Sequence, residues 1–327
     1  PEATFNDSII SGRNRSKIGW YQIEPTLQQY KGPNNPYSND RVELSDPRVR
    51  QVYQREIFPQ RTTGFGESLL TTFDLAYFPT DRGPYNYDAA PGSVNTNGKL
   101  NNPKTRWGGL MRSIDQPDFE TANIEFIEFW MQDPFINYAA KGLTYDPNTA
   151  GGKLYFNLGN VSEDILKDGK RSYENGLPTP NAPSPVDNSN WGRVPINPVQ
   201  VTNAFSNDPN DRKYQDIGFD GLDDTAEVNK RQAYLAQLQG QVSAAAYQRA
   251  LVDPSTDNYH YYRGDDLDQT PGIGIIGRYK NYNNPEGNSP VASTSSIYSS
   301  AATLYPDAED LNRDNTLNQT EEYFQYI

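Results

Sequence analysis

The densest apolar run of the chain, Ile124-Glu125-Phe126-Ile127-Glu128-Phe129-Trp130-Met131, constrains the fold most, because it carries so much surface that has to be covered. Successive side chains of a strand point to opposite faces. A period of two therefore sets Ile124, Phe126 and Trp130 on one side and Ile127, Phe129 and Met131 on the other. Such a strand needs a cover on both faces. A helix suits the run less well, since it is short, rich in β-branched and aromatic residues, and closed by Asp133-Pro134. A second run, Leu154-Tyr155-Phe156-Asn157-Leu158, follows across the turn signal Gly151-Gly152. Together the two runs predict a mainly β chain with a jelly-roll-like β-sandwich core over residues 61–175 and long irregular loops.

Composition limits that core. Of 327 residues 35% are hydrophobic, and 25 glycines and 25 prolines commit much of the length to turns and irregular connections. The 23 tyrosines supply apolar surface whose hydroxyl ends can stay in water. A net charge of −13 argues against binding nucleic acid, whose phosphates need clustered Lys and Arg, and suits bound cations or a solvated acidic surface. With no Cys the chain has neither a disulfide framework nor a thiolate ligand or nucleophile. No apolar stretch reaches the length of a transmembrane helix, and serial alternating strands of about ten residues with aromatic girdles are missing, so no direct membrane insertion is expected. The opening Pro1-Glu2-Ala3-Thr4 lacks an initiator Met, a basic region and an apolar leader, which fits a processed chain or a piece of a longer one.

Around the core, residues 1–60 read as an extended lead-in with a short strand at Ile18–Ile23 and a short helix from Asp46 to Phe58, where Pro47 suits the first turn. Leu69–Phe78 alternates as a strand that Pro79 ends, and Asn95-Thr96-Asn97-Gly98 is a hairpin tip. Ser162 caps a helical turn over 163–167. Residues 176–327 form a loop-rich region that either completes the core domain or stands beside it. It opens with six prolines (178, 180, 183, 185, 195 and 198) and contains one helix of some length at 225–252, with Val228, Leu235, Leu238 and Val242 along a stripe that Gly240 weakens.

Two acidic loops in that region carry calcium spacing. In Asp310-Leu311-Asn312-Arg313-Asp314-Asn315-Thr316-Leu317-Asn318-Gln319-Thr320-Glu321 the EF-hand positions one, three, five, nine and twelve hold Asp310, Asn312, Asp314, Asn318 and Glu321, and Thr316 would offer its carbonyl. Calcium takes six to eight oxygens, which this spacing winds around one point. Asn315 stands where the pattern wants Gly, and Asn tolerates the left-handed conformation needed there. The competing reading is a solvated Asx-rich turn. The second loop, 216–227, has Asp216, Asp220, the Leu222 carbonyl and Glu227, but Gly218 offers no side-chain oxygen at position three. Asp224 and Glu227 also form a capping box for the following helix. Asp223 or Asp224 completes the calcium shell if the loop is shorter than an EF-hand.

Signals for catalysis are poor. His260, the only histidine, lies among tyrosines, which gives a Ser-His-Asp arrangement little support. Glu125 and Glu128 cannot share one face of a strand as a glycosidase pair. Gly272-Ile273-Gly274-Ile275-Ile276-Gly277 spells a dinucleotide fingerprint without the strand before it or the helix after it. No enzyme is expected.

Several stretches together resemble one family: Phe78-Pro79-Thr80-Asp81-Arg82-Gly83-Pro84-Tyr85-Asn86-Tyr87, Asn102-Pro103-Lys104-Thr105-Arg106-Trp107-Gly108-Gly109, Glu125–Trp130 and Asn157-Leu158-Gly159-Asn160-Val161-Ser162-Glu163-Asp164. The likeness continues through Asp168-Gly169-Lys170, Asn175-Gly176-Leu177-Pro178, Asp220-Gly221-Leu222, Tyr279–Pro290 and Glu309–Glu321, covering most of the chain from about residue 65. These resemble the SprA/Sov family, very large outer-membrane proteins of gliding and secreting Bacteroidetes. The resemblance implies a water-exposed, non-barrel segment of the type IX secretion translocon, capping or lining the pore through which cargo and gliding adhesins leave. Its implied partners are the rest of the translocon barrel, other outer-membrane subunits of the system and secreted cargo. Its implied place is the outer membrane, with the cell surface favoured over the periplasm. It carries over no catalytic residue. Independently, Gly152-Lys153-Leu154-Tyr155-Phe156-Asn157-Leu158-Gly159 looks like jelly-roll sandwiches that bind carbohydrate, so the rival function is a calcium-stabilised glycan-binding module. A glycoside-acting enzyme ranks third.

Overall fold

The computed structural model describes residues 8–61, 66–115, 118–144, 151–174, 176–197, 209–212, 214–215, 217–286 and 306–326. In chain order the strands are β1 (Ser16–Tyr21), β2 (Val52–Tyr53), β3 (Leu69–Leu70), β4 (Asp74–Arg82), β5 (Phe156–Asn160), β6 (Val186–Asn188), β7 (Arg193–Pro195) and β8 (Glu322–Tyr326). The helices are α1 (Arg41–Leu44), α2 (Gln54–Ile57), α3 (Pro209–Arg212), α4 (Asp224–Lys230), α5 (Gln232–Gln239), α6 (Ala244–Val252), α7 (Asp265–Asp268) and α8 (Ile275–Arg278). The strands pair antiparallel, two by two: β1 with β4, β2 with β3, β5 with β8 and β6 with β7. Short strands in small sheets among short helices make a mixed fold, most of it irregular, and the expected jelly-roll sandwich is not evident among the described residues.

The reason lies in the run that suggested a sandwich. Ile124–Met131 forms no strand and is exposed, with Phe126 74%, Trp130 66% and Met131 63% accessible. Periodicity reports which sides of a strand are apolar, but pairing requires a neighbouring edge, and among the described residues the run has ring contacts, Trp130 against Phe58 and Phe129 against Phe156, without strand pairing. β4 also departs from expectation, because it continues through Pro79 to Arg82. Ser16 pairs with Arg82 and Lys17 with Phe78, so the register shift between Ser16 and Lys17 falls where Pro79 has no amide to donate. The hairpin tip at Asn95–Gly98 forms as its turn chemistry requires, with the Asn95 side chain accepting the amides of Asn97 and Lys99.

Two buried clusters hold these pieces. The first joins Tyr85, Tyr87, Leu100, Leu166, Trp191, Tyr234, Leu235, Leu238 and Ala250. The second joins Tyr21, Ile23, Leu27, Tyr37 and Val49 with Ile275 and Tyr279, so residues read as a lead-in supply half of a core whose other half lies near residue 279. Tyr279 stacks between Tyr21 and Tyr262 at centroid distances of 4.4 and 4.5 Å. The abundance of Tyr serves packing here, as composition suggested. The helix expected at Asp46–Phe58 is replaced by β2 and the single turn α2, while Asp40 caps α1 by accepting the Glu43 amide. The helical turn expected at 163–167 is absent: Asp164 folds the chain by accepting the amides of Asp168 and Gly169.

The helix expected over 225–252 is present as α4, α5 and α6, interrupted at Arg231 and again between Gly240 and Ser243. Its apolar stripe is real, since Leu235 and Leu238 are buried in the first cluster with Val228 and Val242 against it. The N-cap is Asp223, which accepts the Ala226 amide, rather than Asp224. Freed from a capping box, Glu227 turns inward and is 2% exposed. No described helix is long and apolar enough to cross a membrane.

Candidate metal centre

The turn before α4 is shaped by glycines. Gly218 and Gly221 have φ of 64° and 69°, the left-handed region that glycine enters without steric cost. A Cβ on Gly218 would stand 2.6 Å from both Asp257 Oδ2 and Tyr85 Oη, so this residue lets backbone run against a carboxylate. Gly192, on the neighbouring segment, has no room for a Cβ either, since one would lie 1.8 Å from the Asp220 carbonyl. That carbonyl accepts the Arg193 amide at 2.9 Å and fixes the turn beside β7.

Tight backbone at these points brings three carboxylates together. Asp220 from the turn, Glu227 from α4 and Asp257 from the segment after α6 place one oxygen each within 4.8 Å of one another. Their exposures are 0%, 2% and 1%. Asp220 accepts the Leu222 amide at 3.0 Å through Oδ1 and the Ser255 hydroxyl at 3.3 Å through Oδ2. Glu227 Oε2 accepts the Ser255 amide at 3.3 Å. Both carboxylate oxygens of Asp257 are buried with no hydrogen-bond donor. Arg231 lies 3.6 Å from Asp220 Oδ2, and its guanidinium stands over the Tyr87 ring and also donates to the Asn190 and Trp191 carbonyls.

Three buried acids at this spacing cannot all be charged without compensation. Burial pushes Asp220 up to about 6 against the pull of Arg231. Burial and then the Asp220 charge push Glu227 up to about 9. Burial, with Glu227 and Asp220 beside it, lifts Asp257 well above the carboxylate range. The donor set is all oxygen, which suits a hard cation and not a soft one.

Of the residues expected at the second calcium loop, the structure thus brings Asp220 and Glu227 together. The Leu222 amide donates to Asp220, and Asp216 lies outside the described residues. Asp257 had no local signal: it stands thirty positions beyond Glu227, in a segment without helical or strand periodicity. Gly218, which looked like a missing ligand, is what admits Asp257.

The 310–321 loop, the first of the two expected calcium loops, is ordered differently. Asp310 accepts the Asp314 and Asn315 amides at 3.1 and 2.9 Å and meets Arg171 at 3.3 Å. Asn312 accepts the Asp314 amide, Asp314 accepts the Thr316 amide, and Asn315 takes the expected left-handed conformation with φ of 67°. Glu163 grips both ends, accepting the Leu311 and Asn318 amides at 3.1 and 3.2 Å. Glu321 pairs with Lys167 at 3.1 Å. Among the described residues, the carboxylates of Asp310, Asp314 and Glu321 do not converge as those of Asp220, Glu227 and Asp257 do. His260 bonds the Asp266 carboxylate and its neighbour's carbonyl, with no nucleophile in that arrangement.

Residues 233–327 match the SprA_N family model, described as motility related/secretion protein. The match begins within α5 and runs through α6, the second half of the Tyr279 core and the 310–321 loop. It supports membership of the SprA family and agrees with the resemblance carried by the motifs. No curated protein matches the chain.

Proposed function

From this chain's membership of the SprA family of motility-related secretion proteins, we infer that it is a non-catalytic, water-exposed segment of the type IX translocon in the outer membrane, capping or lining the export pore. The family match over 233–327 carries the reading. The surface supports it, because Phe126, Trp130 and Met131 on the Ile124–Met131 run and Phe324 and Tyr326 on β8 are all more than half exposed. Apolar surface of that kind marks a face that something larger covers. The partners are the remainder of the translocon, neighbouring outer-membrane subunits and the cargo itself. The glycan-binding reading draws less support: Trp191 is fully buried, and Trp20 and Trp130 stand on separate segments with different aromatic neighbours.

The test is export of a reporter cargo from a type IX bacterium whose parent protein lacks residues 65–327, with the amount of parent protein in the outer membrane measured alongside. Lost export with the parent still in place is the expected result. Normal export would overturn the reading and leave a surface-binding module in its stead.

A further inference from the structure

We propose that Asp220, Glu227 and Asp257 hold one calcium ion, which locks the Ile217–Leu222 turn, the start of α4 and the segment after α6 to one another. Proximity of acids alone would not carry this. The second observation is Asp257, which is 1% exposed, has its Oδ2 beside the glycine turn, and gives neither carboxylate oxygen a hydrogen-bond donor. A buried ionised carboxylate without a partner is costly, and a cation is the partner that a dense oxygen cluster accepts.

The chemistry selects calcium. Magnesium keeps several waters and is seldom held in an all-protein cage, whereas calcium accepts six to eight oxygens at flexible distances, including bidentate carboxylates. One calcium offsets two of the three carboxylate charges and Arg231, 3.6 Å from Asp220, faces the third, while Asp253 and the buried Lys17 also act on Asp257. The Ser255 hydroxyl and amide already hold Asp220 and Glu227 in place, and Tyr87 holds that hydroxyl at 2.8 Å. These contacts leave further lone pairs on both acids for an ion. The inference does not depend on the secretion reading.

The 327-residue chain is stripped with chelator, dialysed against calcium alone or magnesium alone, and assayed for bound metal and for Tm. One calcium per chain and a calcium-dependent rise in Tm that magnesium does not reproduce are expected. D257N should weaken calcium binding ~10-fold or more and melt below the unsubstituted chain in calcium. D310N, in the other acidic loop, should keep both the bound ion and the rise in Tm. The proposal is overturned if the unsubstituted chain binds no calcium. It is also overturned if D257N melts at or above that chain in calcium, as relief of repulsion in a protonated cluster would cause, or if D310N alone abolishes the effect. Should D257N fail to fold, E227Q and the metal content of the unsubstituted chain decide the matter.

Discussion

At the scale of single residues, the structure depends on places where a side chain must be absent and on places where a charge must be answered. Gly192 is of the first kind. Its missing Cβ makes room for the Asp220 carbonyl, which is backbone and cannot swing away. G192A should therefore cost about 3 kcal/mol or more in urea unfolding, as overpacking against a fixed neighbour does; an unchanged midpoint would show that the turn can shift. Asp46 is of the second kind. Burial alone would raise its carboxyl, but Arg48 at 2.7 Å and Lys141 at 3.0 Å outweigh burial and hold it at about 2. Because the folded value is depressed from 3.8, its contribution is present above that pH and is lost as pH falls through about 2. D46N should remove on the order of 2 kcal/mol at neutral pH, and the two proteins should converge in stability near pH 2. A constant gap across that window would refute the assignment.

At the scale of elements, the exposed run Ile124–Met131 separates folding from association. F126S with W130S should leave the unfolding free energy of the isolated chain unchanged within about 0.5 kcal/mol, yet lower cargo export when placed in the parent protein. A large loss of stability would mean the run is part of the core after all. The same run shows how far sequence could be read. Its alternation reads as a strand covered on both sides, yet the run is exposed and unpaired, because strand formation needs a hydrogen-bonding edge, which no single segment announces. The Asn95–Gly98 hairpin and the stripe on α4–α6 were legible because their causes are local: side chains bonding their own backbone, and a repeat close to one helical turn. Asp220 and Glu227 were legible as a pair through loop spacing. Asp257 was not, since a ligand supplied from a distant segment leaves no period, and the inward turn of Glu227 depended on Asp223 taking the cap.

At the scale of the whole molecule, the second core cluster fastens segments more than two hundred positions apart. Tyr279 stacks on Tyr21 and accepts the Glu24 amide at 2.9 Å, while the Tyr37 hydroxyl donates to the Ile273 carbonyl at 3.0 Å. Y279A should cost about 3–5 kcal/mol and expose residues 16–49 and 262–282 to protease together; cleavage of only one of them would show that they do not form one unit. This arrangement also imposes a schedule on the newborn chain. Ribosomes release the amino end first, so Tyr21, Leu27, Tyr37 and Val49 emerge long before Ile275 and Tyr279, and loop closure over such a span is slow. Until those two residues arrive the early half is a sticky, unmatched surface, and its exposure to chaperones and proteases is set by how long the segment around residue 279 takes to join it.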